Sequence, residues 1–177
     1  MKQRWILAAL LGALVCCGCE RAGSSAQTAP PTAAEPGEPT HAQPKLATMK
    51  IFIGTIEMNA EIAATLEQEH TGMMFRTNVL AENEGMLFPL PYTQRASFWM
   101  KNCPVSLSAA YIDNEGVIQE IHKLEANNTN AVLSASDNIR FVLETAEGWF
   151  DRHHVQPGVA IATERGPLYQ TFFGRKP

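Results

Sequence analysis

From residue 46 to residue 173, apolar and polar residues alternate over many short segments. A period of two residues is typical of β-strands that bury one face, because successive side chains point to opposite sides of a strand. Gly, Pro, Asn and Asp separate the segments, as expected for turns. The pattern therefore predicts a mainly β domain, an antiparallel β-sandwich or a partly open barrel, with one or two short helices.

The same pattern predicts where the individual elements lie. Thr65 and Gln68 have the spacing of a capping box, which predicts a short helix to about His70 that ends at Gly72. A second helical turn is expected over residues 148–154, and residues 113–116 are predicted to close a β-hairpin. The strand that begins at residue 85 is expected to stop at Pro89. The predicted strands are 49–53, 56–62, 85–88, 96–100, 107–112, 117–124, 139–144, 159–162 and 168–173.

The N-terminus has the pattern of an export signal. Lys2 and Arg4 precede an apolar, uncharged run over residues 5–15, which is too short to span a membrane. The following Cys16-Cys17-Gly18-Cys19 resembles the lipobox of bacterial lipoproteins. The resemblance implies a signal peptide over residues 1–19 and a lipid on Cys19, with Cys17 as an alternative. An ordinary secreted protein and a tethered signal anchor are the other interpretations.

A lipid on Cys19 would make the membrane a partner of this chain through two or more acyl chains. The expected location is the cell envelope. Glu20 is not the Asp associated with retention at the inner membrane, so the outer membrane, facing the periplasm, is favoured if the cell is Gram-negative.

Residues 20–45 are rich in Pro and Ala and contain no Val, Ile, Leu, Met or aromatic residue. Such a composition predicts a disordered linker, because it cannot bury enough apolar surface to offset the entropy of ordering. A single β-rich domain is predicted over residues 46–173, with a tail over 174–177. Cys103 is the only cysteine of that domain, so no internal disulfide is expected. The net charge of −4 argues against a nucleic-acid partner.

Three segments of the domain form a specific motif in a fixed order. They read Gly72-Met73-Met74-Phe75-Arg76, Gly85-Met86-Leu87-Phe88 and Phe98-Trp99-Met100-Lys101-Asn102. Together they resemble uncharacterised protein family 0127, equivalently domain of unknown function 192. The later Leu143-Glu144 and Gly148-Trp149-Phe150 resemble further segments of that family. The resemblance implies a compact, mainly antiparallel β domain, often exported, with no established activity.

The chain departs from the family pattern at two positions. Ser108 stands where the family commonly has Asp, and Cys103 stands where it usually has Thr. If the family's Asp belongs to a functional carboxylate site, this chain lacks that carboxylate.

Four residues are candidates for binding a ligand: Arg76, Trp99, Asn102 and Glu144. An arginine among apolar neighbours needs an acidic partner or an anionic ligand. Glu144, on an otherwise apolar strand, is the expected partner of Arg76, and an anion site is the alternative. Trp99 could stack on a sugar or fill the core, and Asn102 could bind a ligand or hold the turn before Pro104.

The domain also contains many sulfur side chains, namely Met73, Met74, Met86, Met100 and Cys103. With His122 such a set could bind Cu(I), although methionine more commonly fills irregular cores. Cys103 as a nucleophile would need a base such as His122 or His153. The spacing matches no metal motif and no phosphate-binding loop, so no metal and no cofactor are expected.

Three functions remain open from the sequence. The first is a lipid-anchored binding module for a small polar molecule, such as a saccharide or an anion. The second is an envelope enzyme, hydrolase-like, that uses Glu144 or Cys103. The third is a structural or interaction protein whose acidic surface docks a partner.

Overall fold

A computed structural model describes residues 37–174, in which ten strands and three short helices occur. The strands and helices in chain order are β1 (Thr48–Ile53), β2 (Ile56–Ile62), α1 (Leu66–Thr71), β3 (Glu84–Gln94), β4 (Ser97–Phe98), β5 (Leu107–Asp113), β6 (Ile118–Leu124), β7 (Val132–Leu133), β8 (Ile139–Ala146), α2 (Trp149–Arg152), β9 (Ile161–Thr163), β10 (Gly166–Pro167) and α3 (Leu168–Phe173).

Eight of these strands form one sheet in the order β10-β9-β1-β2-β3-β8-β5-β6, curled into a half-barrel. Strands β4 and β7 form a separate pair. Neighbours in the large sheet run antiparallel except β2 and β3, which are parallel and are joined through α1. The predicted mainly β fold with the shape of a partly open barrel is therefore confirmed.

The predicted capping box at the start of α1 is confirmed. The Gln68 amide donates to Thr65 Oγ1 at 3.2 Å, and the Thr65 amide donates to Gln68 Oε1 at 3.2 Å. Gly72 ends the helix, with its amide bonded to the Gln68 carbonyl. These caps satisfy backbone groups that so short a helix would otherwise leave exposed.

Strand β3 was predicted to stop at Pro89, but it continues through Pro89 and Pro91 to Gln94. On one side β3 pairs with β2 only as far as Leu87, whereas on the other it pairs with β8 through Pro89. Beyond Leu87 the edge of β3 that faced β2 is not paired with β2, so its backbone amides are not needed as donors to that strand. Proline, which has no amide hydrogen, is tolerated at such an edge.

Two other predicted strands were also wrong. Residues 168–173 form the helix α3, in which Leu168 and Phe172 are four residues apart. Phe172 and Phe173 pack on Phe141, with ring centroids 6.0 and 5.7 Å apart. The strand predicted over 96–100 is limited to the two residues of β4. A short apolar run does not by itself distinguish a strand from a helix.

The large sheet has an apolar cluster on each face. Phe141, Leu143 and Trp149 belong to the first cluster, whereas Phe88, Tyr111 and Val142 belong to the second. Because side chains alternate along β8, Glu144 lies on the same face as Val142. The second cluster therefore surrounds the acidic residue that the sequence singles out.

Residues 37–47 lie along the domain and bond to it. Gln43 Nε2 donates to the carbonyls of Gln68 and Gly72 at 3.1 and 2.9 Å, and the Leu46 amide donates to Glu61 Oε2 at 2.7 Å. The predicted signal peptide, Cys19 and residues 20–36 of the predicted linker lie outside the described residues, as do 175–177 of the tail. Within the described part of the chain, no helix is long and apolar enough to span a membrane.

Candidate ligand-binding cleft

A cleft of about 310 Å³ opens beside the second apolar cluster. We refer to it as the Glu144 cleft. It is lined by Leu66, Glu69, His70, Thr71, Gly72, Met73, Met74, Phe88, Ser97, Phe98, Trp99, Met100, Lys101, Cys103 and Glu144. Its volume is at the lower end of the range for sites that hold small organic molecules, roughly 300–1,000 Å³.

Two stretches of chain form the walls of the cleft. One is α1 with the turn that follows it, and the other is β4 with the loop to Cys103. The Phe75 amide joins them by donating to the Asn102 carbonyl at 2.7 Å, and both residues have positive φ angles, 62° and 58°. Asparagine adopts this left-handed conformation more readily than most residues. This gives Asn102 a structural role in the turn.

Glu144 forms the floor of the cleft. It lies on β8 between Met86 of β3 and Ala109 of β5, and it is only 4% exposed. Its Oε2 has no hydrogen-bond partner among residues 37–174. Burial raises the pKa of Glu144 to about 8, so the carboxyl group is largely protonated at neutral pH. An unsatisfied carboxyl oxygen at this depth is costly and calls for a partner from outside the chain.

Two more ionisable side chains of α1 line the same cleft. Nδ1 of His70 is buried and has no hydrogen-bond partner in the described part of the chain. Burial also raises the pKa of Glu69. Both side chains come from α1, which the capping box and Gly72 fix in position.

The mouth of the cleft is partly apolar and exposed. Leu66 and Trp99 are 54% and 40% exposed. Lys101 Nζ lies 5.3 Å from the centroid of a Trp99 ring and forms an ion pair with Glu38. Lys101, the one lysine among the described residues that line the cleft, therefore already has an acidic partner.

Four sulfur side chains of the proposed soft-metal set line the cleft: Met73, Met74, Met100 and Cys103. His122 does not, because it lies on β6, where its ring nitrogen is 2.9 Å from Glu120 Oε2 and its ring centroid 4.8 Å from that of Tyr111. No group of three or more His, Cys, Asp and Glu side chains suited to a metal ion occurs between residues 37 and 174.

Cys103 has the environment of a structural cysteine. Burial, together with the nearby Glu144, raises the pKa of its thiol to about 11. A reactive cysteine needs a lowered pKa, because the thiolate is the nucleophile. His153, the other base considered for it, is hydrogen-bonded to Glu82 at 2.8 Å and does not line the cleft.

The pairing of Arg76 with Glu144 that the sequence suggested is wrong. Arg76 instead donates two hydrogen bonds to Glu61, at 2.6 and 2.8 Å. Burial acts to raise the pKa of Glu61, but its bonds to Arg76 and to the Leu46 amide outweigh this and hold it below the ordinary value. Glu61, like Glu144, is an acidic residue on a strand. The sequence therefore offered Arg76 two possible partners, and their spacing along the chain could not distinguish between them.

The predicted ligand residues therefore fall into separate places. Trp99 and Glu144 line one cleft, at its mouth and at its floor. Arg76 lines a second, more open depression together with Glu61. Asn102 is not among the residues that line either cavity. Glu69 and His70 were not among the predicted ligand residues, although the predicted end of α1 placed them next to the Gly72 motif.

Other residues of the motif support the structure around the cleft. A Cβ atom at Gly85 would lie 2.9 Å from the Glu144 carbonyl oxygen, so only glycine fits there without a shift. Ser108 Oγ accepts a hydrogen bond from the Gly148 amide at 2.9 Å. Trp149 is fully buried, and its indole donates to the Glu82 carbonyl at 2.7 Å. Ser108 thus has a structural contact where the family commonly has Asp.

Solved structures with the same fold include proteins from two bacteria. A candidate transcription regulator from Sinorhizobium meliloti 1021 is 25% identical, with a TM-score of 0.63 over 69% of this chain and 98% of its own. A protein of unknown function from Novosphingobium aromaticivorans DSM 12444 is 26% identical, with a TM-score of 0.63 over 75% and 98%. No curated protein matches this chain.

The model of one protein family covers most of the domain. It is DUF192, described as an uncharacterised ACR, and it matches residues 49–163, well over half of the chain. The matched region contains the three-part motif, the floor of the cleft and both of its walls. The chain belongs to the DUF192 family.

Proposed function

We propose that this chain is a lipid-anchored protein of the cell envelope whose β domain binds a small molecule in the Glu144 cleft. The observation that carries the proposal is the buried Glu144 Oε2, which has no hydrogen-bond partner among the described residues and belongs to a residue that lines a cleft of about 310 Å³. A bound molecule would supply the missing partner. The lipobox-like Cys19 supports the envelope location.

The environment of the cleft narrows the kind of molecule. Three aromatic rings and three methionines supply apolar surface, and six polar or ionisable side chains lie among them, a combination that suits a small organic molecule with a polar group. An anion held by Arg76 is disfavoured, because both terminal nitrogens of that guanidinium already bond to Glu61. The exposed Trp99 offers apolar surface to a ligand at the mouth.

An enzymatic role finds less support from the same residues. The thiol of Cys103 is held neutral by its raised pKa, and neither His122 nor His153 lines the cleft. A hydrolase would then depend on Glu144, Glu69 and His70 as acid and base, without a nucleophilic side chain activated beside them. We therefore favour binding over catalysis.

Native mass spectrometry of the full chain, purified gently from its own host, tests the binding function. We expect a retained organic mass in the wild-type protein that is lost from Trp99→Ala and from Glu144→Gln. The matched control is Tyr92→Ala, because Tyr92 is also an exposed aromatic residue but does not line the cleft. A retained mass that survives both cleft substitutions would place the ligand elsewhere, and a wild-type chain without any retained mass would count against tight binding.

A further inference from the structure

We infer that the ligand of the Glu144 cleft carries an ammonium group on an apolar body, with the ammonium group paired to the Glu144 carboxylate. This inference rests on the proposed function, because it names the chemical class of the molecule that the cleft holds.

The ionisable side chains of the cleft favour a cationic over an anionic ligand. Two carboxyl groups, Glu144 and Glu69, line it, and within residues 37–174 neither forms a salt bridge. The single lysine of the lining, Lys101, is paired with Glu38. Among the described residues that line the cleft, an anionic ligand would therefore meet two carboxyl groups and no unengaged lysine or arginine, with only the imidazole of His70 to receive it. An ammonium group would instead give Glu144 the partner that the chain does not provide.

The walls of the cleft are also suited to a cation with an apolar body. The rings of Phe88, Phe98 and Trp99 line it, and the first two meet edge to face with centroids 5.2 Å apart. Aromatic faces attract ammonium groups, most strongly where water is excluded. The thioethers of Met74 and Met100 are polarizable and adapt to an apolar ligand.

Binding has a defined proton balance. When an ammonium ion pairs with the protonated Glu144 carboxyl, the carboxyl proton leaves to solvent as the ion pair forms. When a neutral amine binds instead, the proton moves from the Glu144 carboxyl to the amine nitrogen and none is released. Other ionisable groups that line the cleft or face Glu144 are Glu69, His70, Lys101, Cys103 and Tyr111. Of these, Cys103 and Tyr111 stay neutral at pH 7, because burial and the nearby Glu144 raise the pKa of each.

The test compares three probes that share a phenylethyl body but differ in their polar end: phenethylammonium, 2-phenylethanol and 3-phenylpropionate. The full chain is held in phosphatidylglycerol nanodiscs, which contain no lipid cation, and empty nanodiscs are subtracted. Binding is followed by the methyl signals of ¹³C-methyl methionine. Met73, Met74 and Met100 report on the cleft, and Met49, outside its lining, serves as the internal reference.

We expect phenethylammonium to shift the cleft methyl signals and to saturate, with much weaker binding of the alcohol and the acid. Glu144→Gln keeps the shape of the side chain and should weaken phenethylammonium roughly 10- to 100-fold, as for a lost charge-assisted contact. Glu57→Gln is the control, because Glu57 is exposed on β2 and pairs with Lys50. Calorimetry at pH 7 in two buffers should show proton release in the wild type and in Glu57→Gln but not in Glu144→Gln.

Three results would overturn the inference. If the alcohol or the acid binds the cleft as tightly as the ammonium ion, the cleft still holds a small molecule, and only the ammonium assignment fails. If Glu144→Gln binds phenethylammonium unchanged, the partner of the cation is not Glu144. If none of the probes shifts the cleft signals, the inference is wrong, while the retained-mass experiment decides separately whether the cleft binds a molecule at all.

Discussion

Glu144 is a carboxyl group on a central strand of the sheet, with Met86 and Ala109 as its cross-strand neighbours. A glutamate in such a position loses the hydration that favours its charged form. In the unliganded domain, ionisation of the Glu144 carboxyl group therefore lowers the free energy of unfolding. A buried group that opposes folding marks a place where function and stability conflict.

The pH dependence of stability should reveal this conflict. The pKa of Glu144 is raised from 4.5 to about 8, so the folded state binds more protons than the unfolded state between these values. Its stabilising contribution is complete below about pH 4.5 and is lost as the pH rises through 8. We expect the wild-type free energy of unfolding to fall over this window relative to Glu144→Gln, by up to roughly 4–5 kcal/mol.

Denaturant unfolding at pH 5, 6.5 and 8 measures this difference in the full chain without added ligand. Glu57→Gln is the control and should follow the wild type, because Glu57 lies on the surface. If the free energy of unfolding changes with pH in the same way in the wild type and in Glu144→Gln, the pKa of Glu144 is not raised as described.

At the scale of the element, the short helix α1 brings two ionisable residues of the cleft into place. It has only six residues, and isolated helices of that length are not stable in water. The capping box at Thr65 and Gln68 and the bonds from Gln43 to the Gln68 and Gly72 carbonyls hold it against the domain. The wall of the cleft therefore depends on a few local hydrogen bonds.

Removing the N-cap should loosen this wall. We expect Thr65→Ala to lower the free energy of unfolding by about 1 kcal/mol, because the Gln68 amide loses its acceptor. Amide exchange should also become faster at residues 66–72. Thr77→Ala is a matched control on an exposed threonine without a capping role. Unchanged exchange in Thr65→Ala would mean that tertiary packing alone holds α1.

Local signals in the sequence were sufficient for elements with a clear boundary. Thr65 and Gly72 predicted both ends of α1, and residues 113–116 predicted the hairpin between β5 and β6. Residues 168–173 were misassigned because their apolar run fits a strand as well as a helix. The end of β3 was wrongly predicted at Pro89, because proline is compatible with a strand wherever one edge has no partner strand. Only the sheet topology shows that β3 has such an edge beyond Leu87.

Across the whole molecule, the cleft combines residues that are far apart in the sequence. Glu144 follows Trp99 by 45 positions and His70 by 74. The sequence could single out Trp99 and Glu144 from their unusual settings. It could not show that His70 and Glu144 line one cleft, or that Arg76 bonds to Glu61, because both depend on the tertiary arrangement of the strands and α1.

The predicted anchor is also a property of the whole chain. We expect the wild-type protein to incorporate radiolabelled palmitate and Cys19→Ser to lose the label, because a lipobox-like sequence directs acylation to the cysteine that follows Gly18. Cys17→Ser is the matched control and should remain labelled. Equal labelling of wild type and Cys19→Ser would exclude Cys19 as the site.

The ion pair between Glu38 and Lys101 fastens the start of the described chain beside the mouth of the cleft. If Cys19 carries the lipid, only residues 20–37 separate that point from the membrane surface. A fully extended chain of this length reaches roughly 60 Å. The cleft opening would then stay within roughly that distance of the lipid. Such a domain would sample molecules that are released at, or concentrated near, the bilayer rather than those of the bulk compartment.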